Sequence, residues 1–263
     1  MTRILGIDFS GASDAGNKIW IAEGRKSAKP FRLDTLLPAA HLPGGSRQLE
    51  PAIAALRAYI CSEAETIAGC DFPFSLPTSL VGAHNWTDFV ALFPQRFTDP
   101  AAFHDRCHRE ADGHELKRLT DRIERTPFCS YNLRLYRQGW WGIAHLLHPL
   151  LAAKAIVVRP QQKLRAGRPV LIEVCPASSL RRWSCYSSYK GNETRHRRAR
   201  RLIIERLIEF DLLLTPSPRF MRQLIENPGG DALDAIIAAI AAAKADISKA
   251  GSRVERLEGR VYV

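Results

Sequence analysis

The chain reads as an α/β protein, a mixed sheet with flanking helices and a mostly helical insertion. Three observations predict it. Short apolar runs of strand length occur at residues 3–9, 66–70 and 170–175. Longer segments with apolar residues at helical spacing lie between and after them. Each of the three runs carries a carboxylate at or near its end: Asp8, Asp71 and Glu173. At 263 residues, a single domain over 1–263 is expected, with the insertion at about 77–169.

Taken in order, residues 3–9 form a buried strand running into the small-residue turn Ser10-Gly11-Ala12-Ser13. Residues 18–23 and 29–36 are strands joined by a turn at 24–28, so three hairpin-linked strands open the chain. Residues 46–61 carry Leu49, Ile53, Leu56 and Ile60 at helical spacing, with Ser46 as the expected N-cap. Residues 66–70 are a short strand delivering Asp71. Residues 72–77 are a loop, because Pro73 and Pro77 cannot both sit in a central strand.

The stretch 77–169 changes texture. It holds His84, His104, His108, His114, His145 and His148, with Trp86, Trp140 and Trp141. Helices are expected at 99–121 and 142–154. Residues 170–175 are a strand stopped by Pro176, and residues 195–210 a basic helix with an apolar stripe at Ile203, Leu207 and Phe210. An alanine-rich helix follows at 231–246, and residues 253–263 are expected to form a terminal strand.

Composition narrows the class. With 46% hydrophobic and 25% charged residues, wholesale disorder is excluded. The longest clean apolar run, residues 235–243, falls far short of the ~20 residues of a membrane span. The opening Met-Thr-Arg-Ile-Leu-Gly-Ile-Asp has a carboxylate where a signal peptide needs apolar residues, so a cytoplasmic protein is expected. Cys61, Cys70, Cys107, Cys129, Cys175 and Cys185 contain no C-x-x-C pair and read as reduced thiols. His104, Cys107 and His108 have helical spacing, but a fourth ligand for structural zinc is missing. The net charge of +11 favours an anionic partner such as nucleic acid.

The carboxylates carry the chemistry. A charge at the end of an apolar strand is costly to desolvate unless it is paired or binds metal, and ligands of open α/β sheets bind at the carboxyl ends of strands. Asp231 and Asp234 share one face at the start of the last long helix. Each residue also has a plainer reading. Asp231 suits a helix cap, Asp8 an Asx turn, and Glu173 a partner for an arginine. Were these acids to converge, their repulsion would call for hard divalent cations, Mg²⁺ or Mn²⁺. Two metals about 4 Å apart can activate water against a phosphodiester. An acidic pocket in a basic chain therefore suits a metal-dependent nuclease.

The segments Gly6-Ile7-Asp8-Phe9-Ser10-Gly11-Ala12, Cys70-Asp71-Phe72-Pro73-Phe74-Ser75-Leu76-Pro77, Ile172-Glu173-Val174-Cys175-Pro176 and Asp231-Ala232-Leu233-Asp234-Ala235, in this order, resemble the family called domain of unknown function 429. The closing Glu258-Gly259-Arg260-Val261-Tyr262-Val263 is similar to its last strand. Members are regarded as predicted nucleases of ribonuclease H fold. A first-strand Asp, a mid-sheet acid and an Asp-x-x-Asp helix also resemble Holliday-junction resolvases. The resemblance implies a metal set of Asp8, Asp71, Asp231 and Asp234. Asp8 would lie between two metals, with Glu173 a further ligand or an orienter behind them.

Two other classes stay open. Actin-like phosphotransferases share the Asp-Gly-Ser type of loop seen at residues 8–13, but they need a second such loop, which the sequence lacks. A non-catalytic module that binds nucleic acid or a protein partner would use its acids structurally. Lys190, Arg195, Arg197, Arg198 and Arg201 are the expected nucleic-acid contacts, either as a phosphate-binding face or as an ordinary solvated one. Trp140 and Trp141 could stack on bases or pack in the interior.

Overall fold

The computed structural model describes residues 1–26 and 30–263. Seven strands form one sheet: β1 (Arg3–Asp8), β2 (Trp20–Arg25), β3 (Thr35–Pro38), β4 (Thr66–Asp71), β5 (Val157–Arg159), β6 (Val170–Val174) and β7 (Val261–Tyr262). Their order is β3-β2-β1-β4-β6-β5, with β7 also beside β6. The first three strands are antiparallel neighbours, whereas β1, β4, β6, β5 and β7 run parallel. β5 pairs with β6 from Val170 to Ile172, and β7 takes over at Glu173 and Val174. The β1 and β6 runs are buried throughout and β4 is buried up to Asp71, because helices cover both faces of the sheet.

On one face lie α1 (Leu49–Ile60), α2 (Thr78–Val81), α3 (Trp86–Arg96), α4 (Pro100–Glu110), α5 (Leu119–Ile123) and α6 (Tyr136–Trp141). A π-helical stretch (Gly142–Leu147) continues α6 into α7 (His148–Ala152). Leu5, Ile7, Cys70 and Leu171 of the sheet join Phe89, Phe93, Phe97 and Phe103 in one core. On the opposite face lie α8 (Pro176–Arg182), α9 (Thr194–Glu209), α10 (Pro218–Glu226) and α11 (Asp231–Lys244). Here Ile4, Ile67, Ile172 and Val174 pack with Ile203, Leu207, Ile236 and Ile240. A last helix, α12 (Arg253–Glu258), leads into β7.

The contact of α11 with β1 positions the site. A methyl group on Gly6 would lie 2.0 Å from the Ala235 carbonyl, and one on Gly69 2.7 Å from that of Ala238. Glycine on the strands and alanine on the helix therefore let the two backbones meet. Bulkier residues would hold α11 away from the sheet.

Several expectations shift. The second strand starts at Trp20, after a 3-10 turn at Ala15–Asn17. The third lies at Thr35–Pro38, and Phe31 makes only an isolated bridge to Leu213. In the expected turn at 24–28, Gly24 and Arg25 belong to β2. Residues 27–29, including the start of the expected third strand, lie outside the described residues. Ser46 does not cap α1; its hydroxyl accepts from the Gln48 amide and the helix begins at Leu49. The helix expected over 99–121 starts with Asp99 as its cap and stops at Glu110, near Gly113 at φ +80°. The helix expected at 142–154 begins at Tyr136. The expected terminal strand is mostly α12, because Ser252 and Glu255 form a capping box. Phe210 is 46% exposed, and Ile204 takes its place in the α9 stripe.

Other placements follow from packing. Cys107 is buried in the core while His104 stacks on His108 and contacts Asp105, so this trio does not converge. All six cysteines are free thiols. Trp140 is buried with its indole donating to the Phe97 carbonyl, and Trp141 packs edge-on against it. No helix among the described residues is long and apolar enough to cross a membrane.

Candidate metal centre

Asp8 ends β1 and Asp71 ends β4, and the two are register partners in a parallel pair. α11, seated on Gly6, brings Asp234 from its first turn to the same point. One carboxylate oxygen from each of Asp8, Asp71 and Asp234 lies within 4.8 Å of the others, the one such group among the described residues. Asp234 is fully buried and Asp8 is 8% exposed. Asp231 lines the same cleft one helical turn earlier but stands outside that tight group.

Two neighbours unexpected in this role complete the centre. Tyr189 Oη donates to Asp234 Oδ1 at 2.5 Å, and Lys190 Nζ lies 2.7 Å from Asp234 Oδ2. Lys190 was expected on a nucleic-acid surface; its ammonium is instead held by the acids. Arg200, part of the same basic run, is buried and donates to the carbonyls of Tyr189, Gly191 and Ile225. It fixes the segment that carries both residues. Gln138 anchors the other side by donating to the Asp71 carbonyl.

The electrostatics show a shortage of positive charge. Burial, and then Asp234 and Asp231, hold the Asp8 carboxyl well above the usual carboxylate range. Burial and Asp234 push Asp71 up to about 7. Burial also raises Asp231, opposed by Lys190. Asp234, more than any other group, raises the Lys190 ammonium. Burial and mutual repulsion thus disfavour the ionised forms of Asp8 and Asp71, and a further cation beside them would relieve both. Asp8, Asp71 and Asp234 could together hold a metal ion, and their oxygen donors favour a hard cation.

Glu173 does not join them. Its register partner is Cys70, so it projects from the other face of the sheet than Asp8 and Asp71. There it accepts from Arg118 at 2.5 and 2.8 Å and from the Phe74 amide at 2.9 Å. Arg118 also binds Asp121 and the Glu258 carbonyl. This buried network ties β6 to α5, α12 and the loop after Asp71. Sequence reasoning missed Arg118, Tyr189 and Gln138. Only the Arg118-Leu-Thr-Asp121 spacing hints at a buried pair, and the sequence carries no sign of what else it binds.

The acids line a cleft of about 530 Å³, which Arg118, Glu173, Lys18, Phe128, Arg134, Arg181 and Tyr186 also line. The other expected nucleic-acid contacts lie elsewhere. Arg195 pairs with Glu193, Arg197 with Glu226, and Arg198 and Arg201 are exposed on α9; none of the four lines the cleft.

Comparison with curated proteins gives no match, and comparison with solved structures gives none either. The family described as "Protein of unknown function (DUF429)" matches over residues 6–258. With nearly the whole chain covered, this protein belongs to that family.

Proposed function

We propose that this chain is a divalent-metal-dependent nuclease of ribonuclease H-like fold that hydrolyses nucleic-acid phosphodiester bonds. The convergence of Asp8, Asp71 and Asp234 carries the reading. Antiparallel entry strands leading into a parallel sheet covered on both faces support the fold. The acids lie where such sheets bind ligands, at the carboxyl ends of parallel strands. Asp8, Asp71 and Asp234 would hold Mg²⁺ or Mn²⁺ there, which would supply an activated water and charge stabilisation for the leaving oxygen.

The chain's own residues prepare that centre. Tyr189 fixes one oxygen of Asp234, and Lys190 balances part of the negative charge. Arg118 and Glu173 hold the Phe74 backbone, and with it the loop that follows Asp71. Asp231 stands beside the metal set as a further acidic group. Lys18, Arg134 and Arg181 along the cleft attract phosphate, and the exposed arginines of α9 extend the basic surface.

The test is cleavage of single- and double-stranded DNA and RNA by the purified chain with Mg²⁺ or Mn²⁺. Cleavage that disappears in Asp8→Ala is the expected result. No cleavage of any substrate, or cleavage surviving in Asp8→Ala, overturns the reading. Stabilisation by ATP with release of its γ-phosphate would point to a phosphotransferase instead.

A further inference from the structure

Two couples of guanidinium and aromatic ring line the cleft. Arg181 lies 4.6 Å from the ring centre of Tyr186, and Arg134 lies 5.4 Å from that of Phe128. Tyr186 is 49% exposed, an unusual display for a large ring beside a buried acidic centre. Both couples belong to the same cleft as Asp8, Asp71 and Asp234.

The support beneath them is built rather than loose. Thr126 donates to Asp121 and to the Phe128 carbonyl, which ties the Phe128 loop to the buried Arg118 network. Arg181 donates to the Arg125 carbonyl, so the loop carrying Phe128 and the α8 end leading to Tyr186 are joined. The Phe128 loop is therefore tied to the α8 end before any ligand arrives, which lowers the ordering cost of binding.

Size and burial decide which nucleic acid fits. A cleft of about 530 Å³ is in the range of a small-ligand site. A paired double helix is far wider and would rest on the rim. The acids line the cleft with Asp234 fully covered, Asp8 8% exposed and Asp71 half-buried, so a backbone must enter it to meet all three. An unpaired strand can enter and leave its bases free to stack, which every base does on an aromatic face.

We propose that the cleft binds unpaired, single-stranded nucleic acid, with bases stacking on Tyr186 and Phe128 while Arg181 and Arg134 meet the flanking phosphates. The proposal rests on reading the cleft as a nucleic-acid site and adds the class of substrate.

The experiment is fluorescence anisotropy of the full chain with a short labelled oligonucleotide, as single strand and as hairpin duplex, in EDTA so that cleavage plays no part. The single strand should bind at least about tenfold more tightly than the duplex, and Tyr186→Ala and Phe128→Ala should each weaken it by about 5- to 100-fold. Arg134→Gln should reduce the slope of log affinity against log salt by about one. Thermal melts establish that each variant folds. A duplex bound as tightly as the single strand overturns the proposal, as do folded ring variants that bind like the parent. If the binding pattern appears without cleavage under any metal, the proposal stands and the nuclease reading falls. If cleavage occurs while folded ring variants bind like the parent, the reverse holds.

Discussion

Asp8 and Asp71 face each other across a parallel strand pair, each the last residue of its strand. Neighbouring parallel strands that end level thus place two carboxyls side by side, and α11 adds a third from above. Much of the behaviour expected of this protein follows from that crowding.

The metal-free protein should lose stability as pH rises. The Asp71 carboxyl is pushed up to about 7 by burial and Asp234, whereas in the unfolded chain it titrates at about 4. Between those values the folded state holds a proton that the unfolded state has released, so the Asp71 contribution falls from about pH 4 to about pH 7 and then levels, and the raised Asp8 carboxyl adds to the loss. Urea denaturation in EDTA at about pH 5 and about pH 8 should show this loss, and Asp71→Asn should reduce it. Equal pH dependence in parent and variant would contradict it. Added Mg²⁺ should stabilise more at the higher pH, where fewer protons compete.

Lys190→Ala removes the ammonium bound to Asp234. In EDTA the variant should melt below the parent, since the carboxylates lose their nearest cation. Saturating Mg²⁺ should narrow that gap, because metal supplies the missing charge. A gap that metal leaves unchanged would show that Lys190 acts by packing alone.

Arg118→Ala leaves Glu173 and Asp121 buried without their partner. Loss of one side of a buried ion pair costs about 3–5 kcal/mol, which urea denaturation can measure. Neutralising the orphaned acids as well, with Glu173→Gln and Asp121→Asn, should recover part of it. A single variant within about 1 kcal/mol of the parent would show the network to be dispensable.

Gly6→Ala drives a methyl group into the α11 backbone at Ala235. The helix must move off β1 and take Asp234 with it, at a cost of about 2 kcal/mol or more. Calorimetric titration with Mn²⁺ should show weakened binding in this variant even under conditions where it stays folded. Unchanged metal affinity would mean that the seating of α11 does not set the position of Asp234.

The local features were legible because each depends on neighbours in the chain. Apolar runs with terminal acids marked β1, β4 and β6. Alanine periodicity with Asp231 and Asp234 at its head marked α11. β5 escaped notice because three apolar-and-basic residues are too short a pattern. The last segment looks like a strand because it closes on the β-formers Val261, Tyr262 and Val263, whereas the Ser252–Glu255 capping box starts a short helix before them.

By itself, the sequence determined that acids would stand at the ends of buried strands and at the head of an alanine-rich helix. Which acids meet was decided only by tertiary structure. Side chains alternate faces along every strand, so pairing register sets which side a residue shares with its neighbour. Asp71 is level with Asp8 and joins it, whereas Glu173 is level with Cys70 and turns to Arg118. Tertiary packing also brings Lys190 to Asp234 from a loop distant in sequence, held there by buried Arg200. A carboxylate's role at this sheet edge follows from its face, and the face is fixed between segments far apart in the chain.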